Sequence, residues 1–317
     1  MVTGMKSLQE STPDPGRGSL RDPRIEPIWK LSSHPFRGNA AVHSGLLTEH
    51  ELRTRYRQLY RNVYLDKDIE VTARLRAEAA WMYAGPDAVL VGVSAAAVYG
   101  ARWLDADAPA EIVRTDRRAT TGLRVRSYHL GPEDIQISSG MRLTTPARTA
   151  LDIGRLMAQA QAVPMLDALM HATQLDRRAV WALADRHPGM RGIRSAKLSV
   201  ALADGGAESP MQSRVRLALG ALCEWPIETQ IPFYDDWGLV FTRVAMGWPR
   251  LKLAVECDER TGNADAEYRT WMLRHTETLE QLGWVVAWVT EPMMRNPTGV
   301  ANYVLNKVLA ARRRQRR

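Results

Sequence analysis

Cysteine is scarce: the 317-residue chain has two, Cys223 and Cys257. They form no C-x-x-C pair, which removes the usual zinc spacing, and they fit a reducing compartment. Long apolar runs are missing as well. None approaches the ~18–20 residues that span a bilayer. The opening text, MVTGMKSLQESTPDPGRG, lacks the apolar core of a secretory signal. A cytoplasmic protein without membrane contact is the expectation, with Met1 and Met5 both standing as possible starts. G-x-x-x-x-G-K-[ST], G-x-G-x-x-G and G-x-S-x-G are all absent, so nucleotide hydrolysis, dinucleotide binding and serine-hydrolase chemistry lose their customary motifs. The seven histidines are scattered with no H-x-x-x-H pair, which speaks against a zinc centre.

What the chain has is positive charge and enough apolar residues for buried cores. Formal net charge is +8 and the sequence pI is about 9.7. That balance favours a polyanionic partner, DNA foremost, through phosphate neutralisation and counterion release. Residues 1–37 are rich in Ser, Pro, Gly and charge and read as a disordered tail. Within 38–69, Thr48 followed by Glu51 has the form of a capping box at a helix start. The helix runs from about 49 to 56, and QLYRNVYLD then reads as a hairpin or wing with Leu59, Val63 and Leu65 as inward positions. Arg53, Arg55, Arg57 and Arg61 cluster on this helix and wing and are candidate phosphate contacts. Tyr56, Tyr60 and Tyr64 alternate with them and read as packing residues.

Residues 70–204 alternate helices with short strands. AVLVGV reads as a buried strand, Ser94 as the cap of the next helix, and AEIVRT, LRVRSYHL and MRLTT as strands with a turn at 118–122. Thr145 then caps a helix that has Pro146 at its first position, and two or three more helices follow. DGGAESP reads as a linker, and residues 205–311 follow the order αβββαβα. The basic end, 312–317, reads as a solvated tail. In RLKLAVECDER the residues Leu251, Leu253 and Val255 alternate as a buried strand ending in Glu256 and Asp258. Side chains two apart on a strand share a face. The pair can therefore hold a divalent metal, or stand as a relic facing solvent at a sheet edge.

The order αβββαβ with acids ending the third strand resembles the PD-(D/E)XK nuclease superfamily. The text ESPMQSRVRLAL, TRVAMGWPRLKLAVECD and LEQLGWVVAWVT looks like its very-short-patch-repair branch. LRTRYRQLYRNVYL, VGVSAAAVYGARW and RLTTPARTALDIG resemble the winged-helix and middle region of AbiEi-type antitoxins. The fold these resemblances imply is multidomain, mixing α/β and α+β. It has a winged-helix-like N-terminal unit, an α/β middle domain and a restriction-endonuclease-like mixed sheet flanked by helices. In an active site of the nuclease family, carboxylates on the first helix and the second and third strands bind Mg²⁺ or Mn²⁺, which activates water. Here the first of those positions falls on Gln212 and the second-strand aspartate on Ala245, leaving Glu256 and Asp258. A degenerate site with no cofactor is the expectation. Mg²⁺ or Mn²⁺ enters only if Glu259 or Asp265 has replaced a lost ligand. The resemblances thus imply a DNA-binding, antitoxin-like regulator with an inactive endonuclease-like domain and a toxin-like protein as a further partner. The alternatives are a metal-dependent DNA endonuclease with relocated ligands and a protein-interaction module.

Overall fold

The computed structural model describes residues 33–116, 120–220, 222–260 and 266–315, with side chains through 313. Of the expected tail over 1–37, residues 1–32 lie outside the described residues, as do 118 and 119 of the expected turn, Asp265 and the last residues of the basic end. Phe36–Arg37 form a strand with Phe36 buried, so the fold begins before the expected end of the tail. Eleven α-helices and three sheets are present among those described, a mixed α/β, multidomain architecture as expected. The chain divides into two compact units, Met1–Ile69 and Glu70–Arg317.

The first unit runs β1 (Phe36–Arg37), α1 (Gly38–His43), α2 (Glu49–Arg55), β2 (Tyr56–Tyr60) and β3 (Val63–Asp66), with an antiparallel sheet in the order β1-β3-β2. Thr48 and Glu51 close the capping box reciprocally, each bonding the other's backbone N–H. Phe36, Leu52, Tyr56 and Tyr64 pack together beneath the helices, with Phe36 edge-on to Tyr56 at 4.9 Å. The alternating tyrosines are packing residues. Val63 and Leu65 are buried and Leu59 is half-buried.

The second unit opens with α3 (Ala73–Ala84), β4 (Val89–Leu90) and α4 (Gly92–Val98). Then come β5 (Ala110–Val113), β6 (Leu123–Arg126), β7 (Ile135–Ser138) and β8 (Met141–Thr144), forming a mixed sheet in the order β6-β5-β4-β8-β7. Two expectations change here. Ser94 is not the cap: α4 begins at Gly92, and the buried Ser94 hydroxyl accepts the Glu111 N–H at 2.8 Å from β5. Strand β7 is an addition to the expected strands: Ile135 and Ile137 alternate with Gln136 and Ser138, but the run is only four residues long and Ile137 is exposed. Helices α5 (Pro146–Leu156), α6 (Gln159–Thr173), α7 (Arg177–Arg186) and α8 (Ile193–Leu202) then build one apolar cluster with α4. Thr145 caps α5 as expected. At Gly154 a β-carbon would lie 3.0 Å from the Ala196 α-carbon, so glycine lets α5 and α8 close on each other.

The remaining sheet follows in the same unit. Helix α9 (Pro210–Leu219) precedes β9 (Glu228–Tyr234), β10 (Val240–Trp248) and β11 (Leu253–Asp258), an antiparallel meander. Helix α10 (Ala266–Gln281) leads to β12 (Val285–Thr290), parallel to β11, and α11 (Pro297–Gln315) closes the chain. Leu251 sits in a short 3₁₀ turn rather than in β11, and Lys252 turns the chain with φ 48°. Helix α11 runs past the expected Ala311, and Arg312 pairs with Glu224 at 3.2 Å. A buried knot joins the helical layer to α9: Asp167 on α6 accepts Ser213 Oγ, Arg216 Nη2 and the Asp204 N–H, each at 2.6 Å. Burial pushes the Asp167 carboxyl above its ordinary value, against the pull of Arg216.

Candidate functional site

Strand β11 lies between β10 and β12, so its acids are not at a sheet edge. Leu253 and Val255 join the apolar cluster with α9 and α11, whereas Ala254 joins the one with Leu279 and Trp284 on the α10 side. Alternation then turns Glu256 and Asp258 toward α10, and their partners agree. Glu256 Oε1 meets His275 Nε2 at 2.9 Å, while Oε2 accepts the Ala245 N–H at 3.4 Å. Asp258 takes the Tyr268 hydroxyl and the Arg260 N–H. Tyr268 and His275 lie two turns apart on one helix face. Burial, then Asp258, pushes the Tyr268 phenol up to about 12.

Glu256 is 7% exposed, so the image of a relic facing solvent at little cost fails for it. Asp258 is half-buried. Ala245 does sit against Glu256, where the nuclease pattern has its aspartate. Gln212 does not reach that point: its Oε1 accepts the Glu208 N–H at 3.0 Å, beside its own helix start. Ser209 Oγ accepts the Gln212 N–H at 3.1 Å and caps α9. Ser209 also donates to Glu259, which brings the start of α9 to the end of β11. Glu259 is thereby engaged as well.

Hard divalent cations want several carboxylate oxygens. Among the described residues no three His, Cys, Asp or Glu side chains converge as a metal group. With Ala245 supplying a methyl and Glu256 bonded at both oxygens, the donors do not fit Mg²⁺ or Mn²⁺ as they stand. Cys257 faces the opposite way, and burial, then Glu256, pushes its thiol well above the usual range. A thiol held protonated is a poor nucleophile.

The residue missed by sequence reasoning is His275. Its signal was the i, i+4 pairing with Leu279, which puts it on the buried face of α10; a search for paired histidines passes over it. Trp271 stacks on His275 at 5.1 Å and on Tyr268 at 5.6 Å, making an aromatic column along α10. Thr242 Oγ1 lies 3.4 Å from His275 Nδ1. The dyad is closed in by these neighbours, and His275 itself is buried.

In the first unit the four arginines divide. Arg53 and Arg55 are exposed on α2, and Arg61 is exposed at the β2–β3 turn. Arg53 has only a 3.8 Å contact with the equally exposed Glu49, a pairing of small value in water. Arg57 turns inward and donates from Nη2 to the Lys67 carbonyl. Lys67 Nζ donates to the Thr54 carbonyl at 2.6 Å, satisfying the end of α2. Three arginines are thus available to a phosphate backbone, and the fourth is tied into the fold.

From just before β4 to α8, residues 87–200 match the family model described as AbiEi antitoxin C-terminal domain. Over a longer span the chain is similar to two mycobacterial proteins. Uncharacterized protein MT2308 of Mycobacterium tuberculosis (strain CDC 1551 / Oshkosh) and Uncharacterized protein Rv2248 of Mycobacterium tuberculosis (strain ATCC 25618 / H37Rv) are each 29% identical to it over 260 residues. Each alignment covers 80% of this chain and 93% of the relative. No solved structure matches. No helix among the described residues is long and apolar enough to cross a membrane.

Proposed function

We propose that this protein is a DNA-binding regulator of the antitoxin type. In this reading residues 38–69 contact the DNA backbone, and the middle domain, 70–204, meets a toxin-like protein partner. The 205–311 domain, with 312–317 at its end, is an endonuclease-like scaffold that no longer cleaves. The observation that carries the reading is the antitoxin-domain match at 87–200. The first unit supports the DNA part, with exposed Arg53, Arg55 and Arg61 on a helix and hairpin turn and a chain of net charge +8. Support for the scaffold is the αβββαβ order, with Ala245 and Gln212 where the nuclease pattern has acids and Glu256 bonded to His275.

The test is fluorescence anisotropy of the full chain on a labelled duplex across a salt series. Log affinity should fall linearly with log salt, and each phosphate left without its arginine should flatten the slope by about 0.9. The variant R53A/R55A/R61A should therefore weaken binding to unrelated duplexes alike and lower the slope by up to about three units. Parent-like slope and affinity in that variant would remove the first unit as the DNA surface. Mn²⁺-dependent cleavage by the parent, abolished in Glu256→Ala, would instead establish the endonuclease with relocated ligands.

A further inference from the structure

Strand β9 is an edge of the C-terminal sheet, and β10 pairs with β11 over Met246–Trp248. Before Met246 the β9–β10 hairpin therefore reaches past β11 as a two-stranded arm. Tyr234 pairs with Val240 and, after a bulge at Phe241, Phe233 pairs with Thr242 and Pro232 with Arg243. Phe233 and Thr242 face the α10 side: the Phe233 ring meets Trp284 at 5.0 Å, and Thr242 Oγ1 lies 3.4 Å from His275 Nδ1. Alternation then turns Tyr234, Val240 and Arg243 to the outer face. That face and the tip are apolar and bare. Tyr234 is 60% exposed, Trp237 84%, Leu239 67%, Val240 41% and Phe241 48%. With ~150–250 Å² for an aromatic side chain and less for an aliphatic one, they present on the order of 500 Å². Apolar patches of that size, rimmed by polar groups, are characteristic of interaction surfaces. The tip is held in shape, because Asp235 Oδ1 accepts the N–H groups of Trp237 at 3.0 Å and Leu239 at 2.8 Å. An anchor fixed beforehand loses little freedom on docking.

We infer that this arm is a dimer contact and that its occupant is the same arm of a second copy of the chain. Strand addition is not the mode. Pro232 has no N–H and Gln230, at φ 51°, leaves the extended region, so the β9 edge offers a broken ladder. The charges fit a face-to-face pairing instead. Asp236 and Arg243 are both exposed. Asp236 lies two residues beyond Tyr234 toward the tip, and Arg243, across from Pro232, lies as far from that level toward the base. An antiparallel two-fold arrangement centred on the Tyr234–Val240 pair sets Asp236 of each copy against Arg243 of the other. That is the self-complementarity an isologous contact requires. The area agrees, since two such patches bury roughly 1,000 Å² before the charged rim is counted, which is where specific interfaces begin. The inference goes beyond the DNA-binding reading and stands on a different part of the chain.

The test is sedimentation equilibrium of the full chain over a concentration series. The parent should show a reversible monomer–dimer equilibrium in the micromolar range. Trp237→Ala, at the most exposed anchor, should raise the dissociation constant about thirtyfold or more, since both copies lose it. Asp236→Arg and Arg243→Asp should each bring like charges together at both ends of the contact and weaken the dimer about tenfold. The combined variant D236R/R243D restores opposite charges and should dimerise like the parent, which a merely damaged arm would not do. R53A/R55A/R61A should also dimerise like the parent, so failure of the DNA-binding reading and failure of this one are told apart. An arm that serves DNA or a different protein would leave the parent monomeric. Three results would overturn the inference: a parent monomeric at high micromolar concentration, a dimer equally tight in Trp237→Ala, or D236R/R243D no tighter than the single reversals.

Discussion

Placing an aspartate at position 245 tests the nuclease-like reading of the C-terminal domain most directly. Glu256 Oε2 lies 3.4 Å from the Ala245 amide nitrogen. Ala245→Asp should put a second carboxylate roughly 5 Å from the first, worth about 3 kcal/mol of repulsion at an effective dielectric of about 20. The site is buried, so size alone also costs something, and Ala245→Asn measures that share. Denaturant unfolding at neutral pH should therefore find the aspartate variant less stable than the asparagine variant by about 3 kcal/mol. Like charges raise the pKa of one carboxyl. The folded state then binds a proton more tightly than the unfolded chain, so stability returns as pH falls through the raised value. The gap between the variants should close toward pH 4–5. Millimolar Mn²⁺ should close it at neutral pH, because a ligand bound only to the folded state stabilises it. If Mn²⁺ shifts parent, Asn and Asp forms alike, or if the Asp and Asn variants are equally stable at neutral pH, residue 245 does not face Glu256 and the assignment of the missing ligand fails.

The knot around Asp167 should be worth more than any surface pair. Asp167→Ala leaves Arg216 buried without its carboxylate and should cost about 3–5 kcal/mol in denaturant unfolding, against about 1 for Ser213→Ala. Because burial raises the Asp167 value, the folded state holds its proton more tightly, and the contribution of this carboxyl declines as pH rises above the ordinary carboxylate range. Asp167→Asn should flatten that part of the stability–pH curve. Thr48→Ala removes the capping box of α2 and should destabilise the first unit by about 1 kcal/mol, read as earlier amide exchange in residues 49–55.

What could be read from the sequence was what is written locally. Caps at Thr48 and Thr145 were legible because each signal lies within four residues of the bond it makes. Element order in the C-terminal sheet was legible for the same reason, since alternating apolar runs and helix-ending glycines punctuate it. Failures came where a partner arrives from elsewhere in the chain. Ser94 looks like a cap by sequence, yet its hydroxyl serves a strand amide in β5. Arg57 looks like its neighbours, yet it is bound to the carbonyl of Lys67, and only the fold of the hairpin brings the two together.

Glu256 joins these two levels. As text it is half of a metal pair whose other members are missing. In the fold it is a buried acceptor with two donors, an imidazole from α10 and the amide of Ala245. A glutamate with no remaining structural work should drift toward apolar residues in a buried strand, because an unpaired buried charge is expensive. A glutamate paired to His275 has a reason to stay, since removing either partner strands the other. The same holds for Gln212, which lacks the negative charge of an acid but still reaches the Glu208 amide at the start of α9. In the proposed reading, the positions where this chain departs from the nuclease pattern, Gln212 and Ala245, are groups a metal would need, while both make hydrogen bonds next to β11 or α9. If the proposed nuclease likeness holds, ligand positions without acids beside side chains that still make structural hydrogen bonds are what a domain kept for its surface would look like, and that is the physical basis for proposing a scaffold.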